Sequence, residues 1–187
     1  MKLSILTPTI PTRASQVAKL QEKLQSQIGN LPVEHLVFCD NRQRSIGAKR
    51  QGLVDIARGE YFAFVDDDDD VSDNYVSSIL IAIGRNPDVV TFRQRAIHNG
   101  QESEVQFGVN NEDGQFNPDG ITLRAPWHVC AWKREVVAGC LFGESNYGED
   151  LIWCQQARKR IKTANHIDRT IHTYRHDAAL TSAPEPV

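Results

Sequence analysis

The sequence lacks any apolar run near the ~18 residues that a membrane-spanning helix needs. No transmembrane segment is therefore expected. No signal peptide is expected either, because Met1-Lys2-Leu3-Ser4-Ile5-Leu6 meets Thr7-Pro8-Thr9 before an apolar region of sufficient length can build up. Closely paired cysteines are missing. Cys39, Cys130, Cys140 and Cys154 show no CxxC spacing, which argues against a zinc ribbon or a thioredoxin-type centre. Each lies among apolar neighbours, so buried reduced thiols and a cytoplasmic location are the expectation. No strong excess of one charge is present either: 21 basic and 24 acidic residues give a net charge of -3. Five of the acids stand together at Asp66–Asp70. Without them 21 basic residues face 19 acidic ones, a mildly basic body with one concentrated acidic point.

What is present is the composition of a globular protein. The 187 residues, 40% hydrophobic and 24% charged, suffice for one core and exclude disorder throughout. A single domain is expected over 1–177, followed by a flexible tail over 178–187. The first half alternates strand and helix patterns. Leu3–Thr7 reads as a buried strand, and Val17, Leu20, Leu24 and Ile28 form a helical stripe. Val33–Cys39 reads as a second strand. Ser45 is placed to cap a helix that Gly59 would stop. Tyr61–Val65 has the continuous apolar character of a central parallel strand. Ser72 or Asp73 would cap a helix through Val76, Ile79, Leu80 and Ile83, stopped by Gly84, and Asp88–Phe92 reads as a further strand. The second half is less regular. Strands are expected within Glu104–Asn111 and Ile121–Trp132, a short helix at Arg134–Ala138, a helix at Glu149–Arg160, and closing strands at Lys162–Asp168 and Thr170–Arg175.

This order predicts an α/β domain, Rossmann-like, with a mostly parallel central sheet flanked by helices. Ligands on such sheets gather at the carboxyl ends of the strands. Thr7-Pro8-Thr9, Asp40 and Asp66–Asp70 all fall there, so one shared site is expected. Two carboxylates two residues apart on extended backbone, Asp66 and Asp68, face the same way. Oxygen donors of this kind suit Mg²⁺ or Mn²⁺, which commonly bridge to substrate phosphates. A calcium loop beginning at Asp66 would need Gly where Val71 stands and Glu where Ser77 stands. A Walker A loop is also missing.

These residues resemble a known family. Leu3-Ser-Ile-Leu-Thr-Pro-Thr9, Ile46-Gly-Ala-Lys-Arg-Gln-Gly52, Gly59-Glu-Tyr-Phe-Ala-Phe-Val-Asp-Asp-Asp-Asp69 and Gly148-Glu-Asp150 look, in this order and at these spacings, like the family 2 glycosyltransferases of GT-A fold. The resemblance spans about residues 3 to 176. It implies a nucleotide-sugar donor, a UDP-sugar as first choice, a divalent metal (Mn²⁺ or Mg²⁺), and inverting transfer to an acceptor hydroxyl. It also implies roles. Pro8, Thr9 and Arg13 would line the nucleotide pocket, with Asp40 near the base. Asp66 and Asp68 would form the DXD pair, the first near ribose or sugar and the second on the metal, with Asp67 in the same donor site. Asp150 would be the catalytic base supported by Glu149. His176 would be a further metal ligand, with His172 behind it. The usual Ala-Arg-Asn-x-Gly helix motif reads Ala48-Lys49-Arg50-Gln51-Gly52 here, and Lys49 or Arg50 would assist at the diphosphate.

The implied chemistry is self-consistent. Charge builds on a departing diphosphate, where a cation offsets it, while an acid from a distant segment takes the acceptor's proton. Trp127, His128 and Trp132 read equally well as core or as acceptor wall. Basic clusters at Arg42, Arg44, Lys49 and Arg50, and at Arg158, Lys159, Arg160 and Lys162, admit a polyanionic acceptor. The acceptor candidates are a soluble glycan, a lipid-linked sugar, or a hydroxylated base in DNA. Two rival activities share parts of this pattern. A sugar-nucleotide nucleotidyltransferase would need a glycine-rich loop where Thr7–Arg13 stands. A non-catalytic nucleotide-sugar or metal-binding module would not need Asp150.

Overall fold

Seven consecutive buried residues, Leu3–Thr9, form β1, and the 3-10 turn Pro11–Arg13 leads directly into α1, Ala14–Ile28. The computed structural model describes residues 1–176; the tail expected over 178–187 lies outside them. The stripe read from the sequence is the buried face of α1: Val17, Leu20, Leu24 and Ile28. β2 is Val33–Cys39, and α2, Ile46–Ile56, begins at Ser45, whose Oγ accepts the Ala48 N–H at 3.1 Å. The fully buried β3, Tyr61–Phe64, the short β4, Asp70–Val71, and α3, Tyr75–Ile83, follow. Then come β5 (Val89–His98), β6 (Gln101–Phe107), β7 (Gln115–Phe116), β8 (Thr122–Arg124) and β9 (Ala131–Lys133). α4, Glu149–Arg158, and the long β10, Ala164–His176, complete the described chain.

The strands form one sheet in the order β2-β1-β3-β9-β5-β6-β8-β7, with β10 beside β5 and β4. β1 lies between β2 and β3 and is parallel to both. The chain therefore leaves β1 on one side and returns on the other, and the carboxyl ends of β1 and β3 open a crevice at that reversal. β9 sits antiparallel between β3 and β5, because no crossover helix precedes it to restore direction. Together these give a mixed α/β sheet flanked by helices. The core beside the crevice is aromatic: Trp153 stacks on Phe142 at 5.0 Å and meets Trp132 edge-on at 5.2 Å. Trp132 is thereby a core residue.

Several local expectations change. Gly59 does not stop α2, which ends at Ile56. A Cβ at Gly59 would lie 2.5 Å from the backbone nitrogen of Ser4 and 2.4 Å from the carbonyl oxygen of Tyr61, so glycine is required there by close approach. Its N–H donates to Ser4 Oγ, which donates in turn to the buried Glu34. Neither Ser72 nor Asp73 caps α3. Gln27 of α1 does so instead, its Oε1 accepting the Val76 N–H at 3.1 Å. Residues 134–138 form turns rather than a helix. The two expected closing strands are one strand, β10, with irregular register between Ile167 and His172. Cys39 is exposed, contrary to the expectation for all four thiols, while Cys130, Cys140 and Cys154 are buried and none of the four forms a disulfide.

His35, on β2, is half-buried against β1. Thr7 Oγ1 donates to the Val65 carbonyl at 2.7 Å, so the contact to His35 Nε2 at 3.0 Å has the imidazole as donor. Burial pushes the His35 imidazole down to about 4 from 6.5. Its folded-state value is therefore below its unfolded one, so the unfolded chain binds the extra proton first. Stability from this group is full above pH 6.5 and is lost as pH falls toward 4. The loss is on the order of 3 kcal/mol. His35→Gln is expected to remove it, so the gap in urea-unfolding free energy between wild type and variant narrows across that window. A gap independent of pH would show that His35 does not titrate on unfolding.

Candidate active site

The crevice at the strand ends collects acids from β3 and cations from elements on either side. Thr9, the last residue of β1, donates its Oγ1–H to Asp67 at 2.7 Å, and Arg13 reaches from the turn after β1 to Asp67 at 2.6 Å and Asp68 at 3.0 Å. Asp40, just past β2, pairs with the buried Lys49 at 2.5 Å, and Lys49 also donates to the Thr9 carbonyl at 2.9 Å. Pro8 is buried within β1, in register with Phe38. Arg50 is 4% exposed and grips Asp66 with both terminal nitrogens at 2.9 Å, while its Nε donates to Glu149 at 3.2 Å. Both helix cations are thus committed to carboxylates, and Arg13, on Asp67 and Asp68, is more exposed than Arg50.

The electrostatics follow from this pairing. Burial would raise Asp66, but Arg50 and His128 outweigh it and hold the carboxyl well below the usual range. Asp68 is pushed up by burial and by its neighbour Asp66, with Arg13 offsetting part of the shift. Asp69, buried and facing Asp66 and Asp68, is pushed well up. It touches His172 at 3.4 Å, and burial lowers that imidazole to about 4. Oxygen donors carrying this surplus of negative charge fit a hard divalent cation. Among the described residues no three His, Cys, Asp or Glu side chains converge on a metal position. His172 and His176 stand on the same face of β10. The Arg175 N–H donates to Asp69 Oδ1 at 3.0 Å, so the strand end is tied to the acidic loop, and the His176 ring lies 5.8 Å from that of His98.

The opposite wall comes from the start of α4 and the turn before β9. Gly148, at φ 77, turns the chain into α4 in a backbone conformation that favours glycine. Glu149 is buried under Arg50, whereas the Asp150 side chain stays 24% exposed and accepts the Trp127 indole N–H at 3.1 Å. His128 stands between the two walls, 3.4 Å from Asp150 and 3.9 Å from Asp66. Trp127 is flanked by the guanidiniums of Arg124 and Arg158, at 4.0 and 5.1 Å from its ring. Trp127 and His128 are the residues for which sequence reasoning found no decisive role. The available signal was their position directly before the strand that pairs with β3.

The loop that launches α4 is clamped to α2. The Ile46 N–H donates to Asn146 and the Gly47 N–H to the Ser145 carbonyl, each at 3.0 Å. A Cβ on Gly47 would fall 1.8 Å from the Gly143 carbonyl oxygen and 3.1 Å from the Glu149 Cβ. Gly47→Ala is therefore expected to separate α2 from this loop, costing ~1–3 kcal/mol and displacing Glu149 and Asp150. Thermal unfolding should report the loss, and an unchanged melting temperature would refute the clamp.

Residues 16–140 match the family described as Glycosyl transferase family 2. No curated relative matches the sequence. Among solved structures, Staphylococcus aureus TarS 1-349 in complex with UDP-GlcNAc superposes with a TM-score of 0.68 at 15% identity, covering 95% of this chain and 59% of that one. The same protein in complex with UDP gives 0.68 at 16% identity, over 94% and 61%. The longer TarS structure gives 0.67 at 16% identity, over 94% of this chain and 37% of that one. The chain thus spans less than two thirds of the TarS chains it matches, and at this identity the likeness is one of fold. With the family match covering most of the sequence, and the acidic end of β3 facing the acids that open α4, the chain belongs to glycosyl transferase family 2.

Proposed function

We propose that this chain is the catalytic domain of an inverting glycosyltransferase that moves a sugar from a UDP-sugar to an acceptor hydroxyl. One observation carries the reading. Asp66 at the end of β3 and Asp150 at the start of α4, far apart in sequence, are brought to opposite sides of the His128 ring. A donor-side acid and an acceptor-side acid are what a displacement at an anomeric carbon requires. The UDP-GlcNAc complex of TarS, a protein of the same fold, supports a UDP-sugar as donor.

In this reading Thr9, Arg13 and Asp40 surround the nucleotide, with Pro8 shaping the floor of β1. Asp66 and Asp67, fixed by Arg50 and Arg13, orient the ribose and sugar. Asp68, with His176 at the end of β10, would hold Mn²⁺ or Mg²⁺. Such an ion supplies Lewis-acid neutralisation of the diphosphate. Lys49 and Arg50 act by bracing Asp40 and Asp66 rather than by offering free charge. Asp150 accepts the acceptor's hydroxyl proton as that oxygen bonds to the anomeric carbon. The bond from that carbon to the diphosphate oxygen breaks, and its electron pair leaves with the nucleoside diphosphate. Attack opposite the leaving group inverts the centre. Glu149 holds Arg50 and supports the start of α4.

Among the described residues no helix is long and apolar enough to cross a membrane. The free thiols suit a reducing compartment such as the cytoplasm.

The test is incubation with UDP-sugars, Mn²⁺ or EDTA, and a panel of soluble glycans, lipid-linked sugars and hydroxymethylated DNA, following UDP release and product stereochemistry. Inverted product with UDP release is expected. Donor binding without turnover on every acceptor would favour a binding module, and pyrophosphate release from a nucleoside triphosphate would favour a nucleotidyltransferase.

A further inference from the structure

We propose that His128 is the positioning residue for Asp150, setting which carboxylate oxygen faces the acceptor. This rests on the reading of Asp150 as the base. His128 follows Trp127 in a turn closed by the Cys130 N–H on the Trp127 carbonyl at 3.0 Å. Its ring is 5% exposed and is held edge-on by Phe64 at 5.9 Å and tilted against Trp127 at 6.2 Å, so it cannot swing away without breaking aromatic contacts. Both ring nitrogens are buried without a hydrogen bond. Yet each faces a carboxylate: Nδ1 lies 3.4 Å from Asp150 Oδ2, and Nε2 lies 3.9 Å from Asp66 Oδ2. Buried polar atoms without partners are rare, and hydrogen bonds at catalytic sites are often long before substrate closes them.

The geometry separates the two oxygens of Asp150. Oδ2 takes the Trp127 indole N–H at 3.1 Å and faces the imidazole, while Oδ1 takes only its neighbour's backbone N–H, from Leu151 at 2.7 Å. With Oδ2 held by the Trp127 indole N–H and faced by the imidazole, Oδ1 keeps a lone pair for the acceptor proton. The other ring nitrogen of His128 faces Asp66, on the donor side of the crevice in the proposed reading.

The two nitrogens make the test selective. In His128→Asn the side-chain amide replaces Nδ1, the atom facing Asp150. In His128→Gln it reaches instead toward Nε2, the atom facing Asp66. His128→Ala is expected to lower kcat roughly 100-fold with the donor KM unchanged. His128→Asn should recover most of that loss, and His128→Gln should not. Asp150→Asn, measured alongside, checks the underlying reading. If it leaves turnover intact, the base assignment and this inference both fall. If it abolishes turnover while His128→Ala keeps the wild-type kcat, or Asn and Gln rescue equally, the positioning role alone is overturned.

Discussion

Arg50→Ala is expected to destabilise the protein by ~3–5 kcal/mol at pH 7, the range for removing one partner from a buried ionic cluster. Arg50 is enclosed, its guanidinium lies 5.0 Å from the Phe64 ring, and its three nitrogens are shared between Asp66 and Glu149. Deleting it strands the buried Glu149 and the partly buried Asp66 without their cation. In the wild type Arg50 holds Asp66 below its ordinary range, so this pair stabilises the fold above pH ~4 and is lost only at stronger acidity. In the variant the sign reverses. Burial without the cation raises the carboxyl, the folded state binds the proton more tightly than the unfolded one, and stability recovers as pH falls. The free-energy gap between wild type and Arg50→Ala should therefore shrink between pH 7 and pH 4. Urea unfolding at several pH values reads it, and acid loss from His35 is common to both proteins and cancels. A gap that stays constant with pH would mean that packing, not charge, is what Arg50 supplies.

This cluster also marks how far the sequence could be read. The parallel β2-β1-β3 unit was legible because its strands are short apolar runs ending in polar clusters, and the Val17-Leu20-Leu24-Ile28 stripe has one interpretation. The convergence of Thr9, Asp40 and the acidic run followed from topology alone. What the sequence could not show was which charges were already spent. Lys49 and Arg50 look like two solvent-facing helix cations. They are buried because Asp40, Asp66 and Glu149 meet them from three separate segments. The role of Gly59 was misread for a related reason. A glycine after a helix suggests a stop signal, and only the approach of Ser4 from β1 reveals the close packing that excludes a side chain. His128 was ambiguous because one aromatic pair before a strand fits a core as well as a site. The fold packs it against Phe64 and also sets it 3.4 Å from Asp150 and 3.9 Å from Asp66, a juxtaposition of distant segments that no local pattern encodes.

Asp150→Asn is expected to lower kcat by ~10²–10⁴, the contribution of a positioned general base, with UDP-sugar affinity preserved. The two adjacent acids at the start of α4 are not equivalent, and their partners give each a different signature. Glu149 is buried and spends its carboxylate on Arg50, so Glu149→Gln should act mainly through stability. Asp150 is partly exposed at the crevice, and Asn can keep an oxygen for the Trp127 N–H while losing the basicity that takes a proton. Stopped assays of UDP release, paired with calorimetric titration of the donor, separate the cases. Asp150→Asn should bind donor and fail to turn over, with an unchanged melting temperature. Turnover within a few-fold of wild type would place the base elsewhere. Loss of donor binding together with turnover would instead put Asp150 on the donor side. The crevice argues against that outcome. Asp66 and Asp67 reach it from the end of β3, Asp150 enters from α4, and Arg50 and His128 stand between them, an arrangement that under the proposed reading sets Asp150 apart from the donor-side acids.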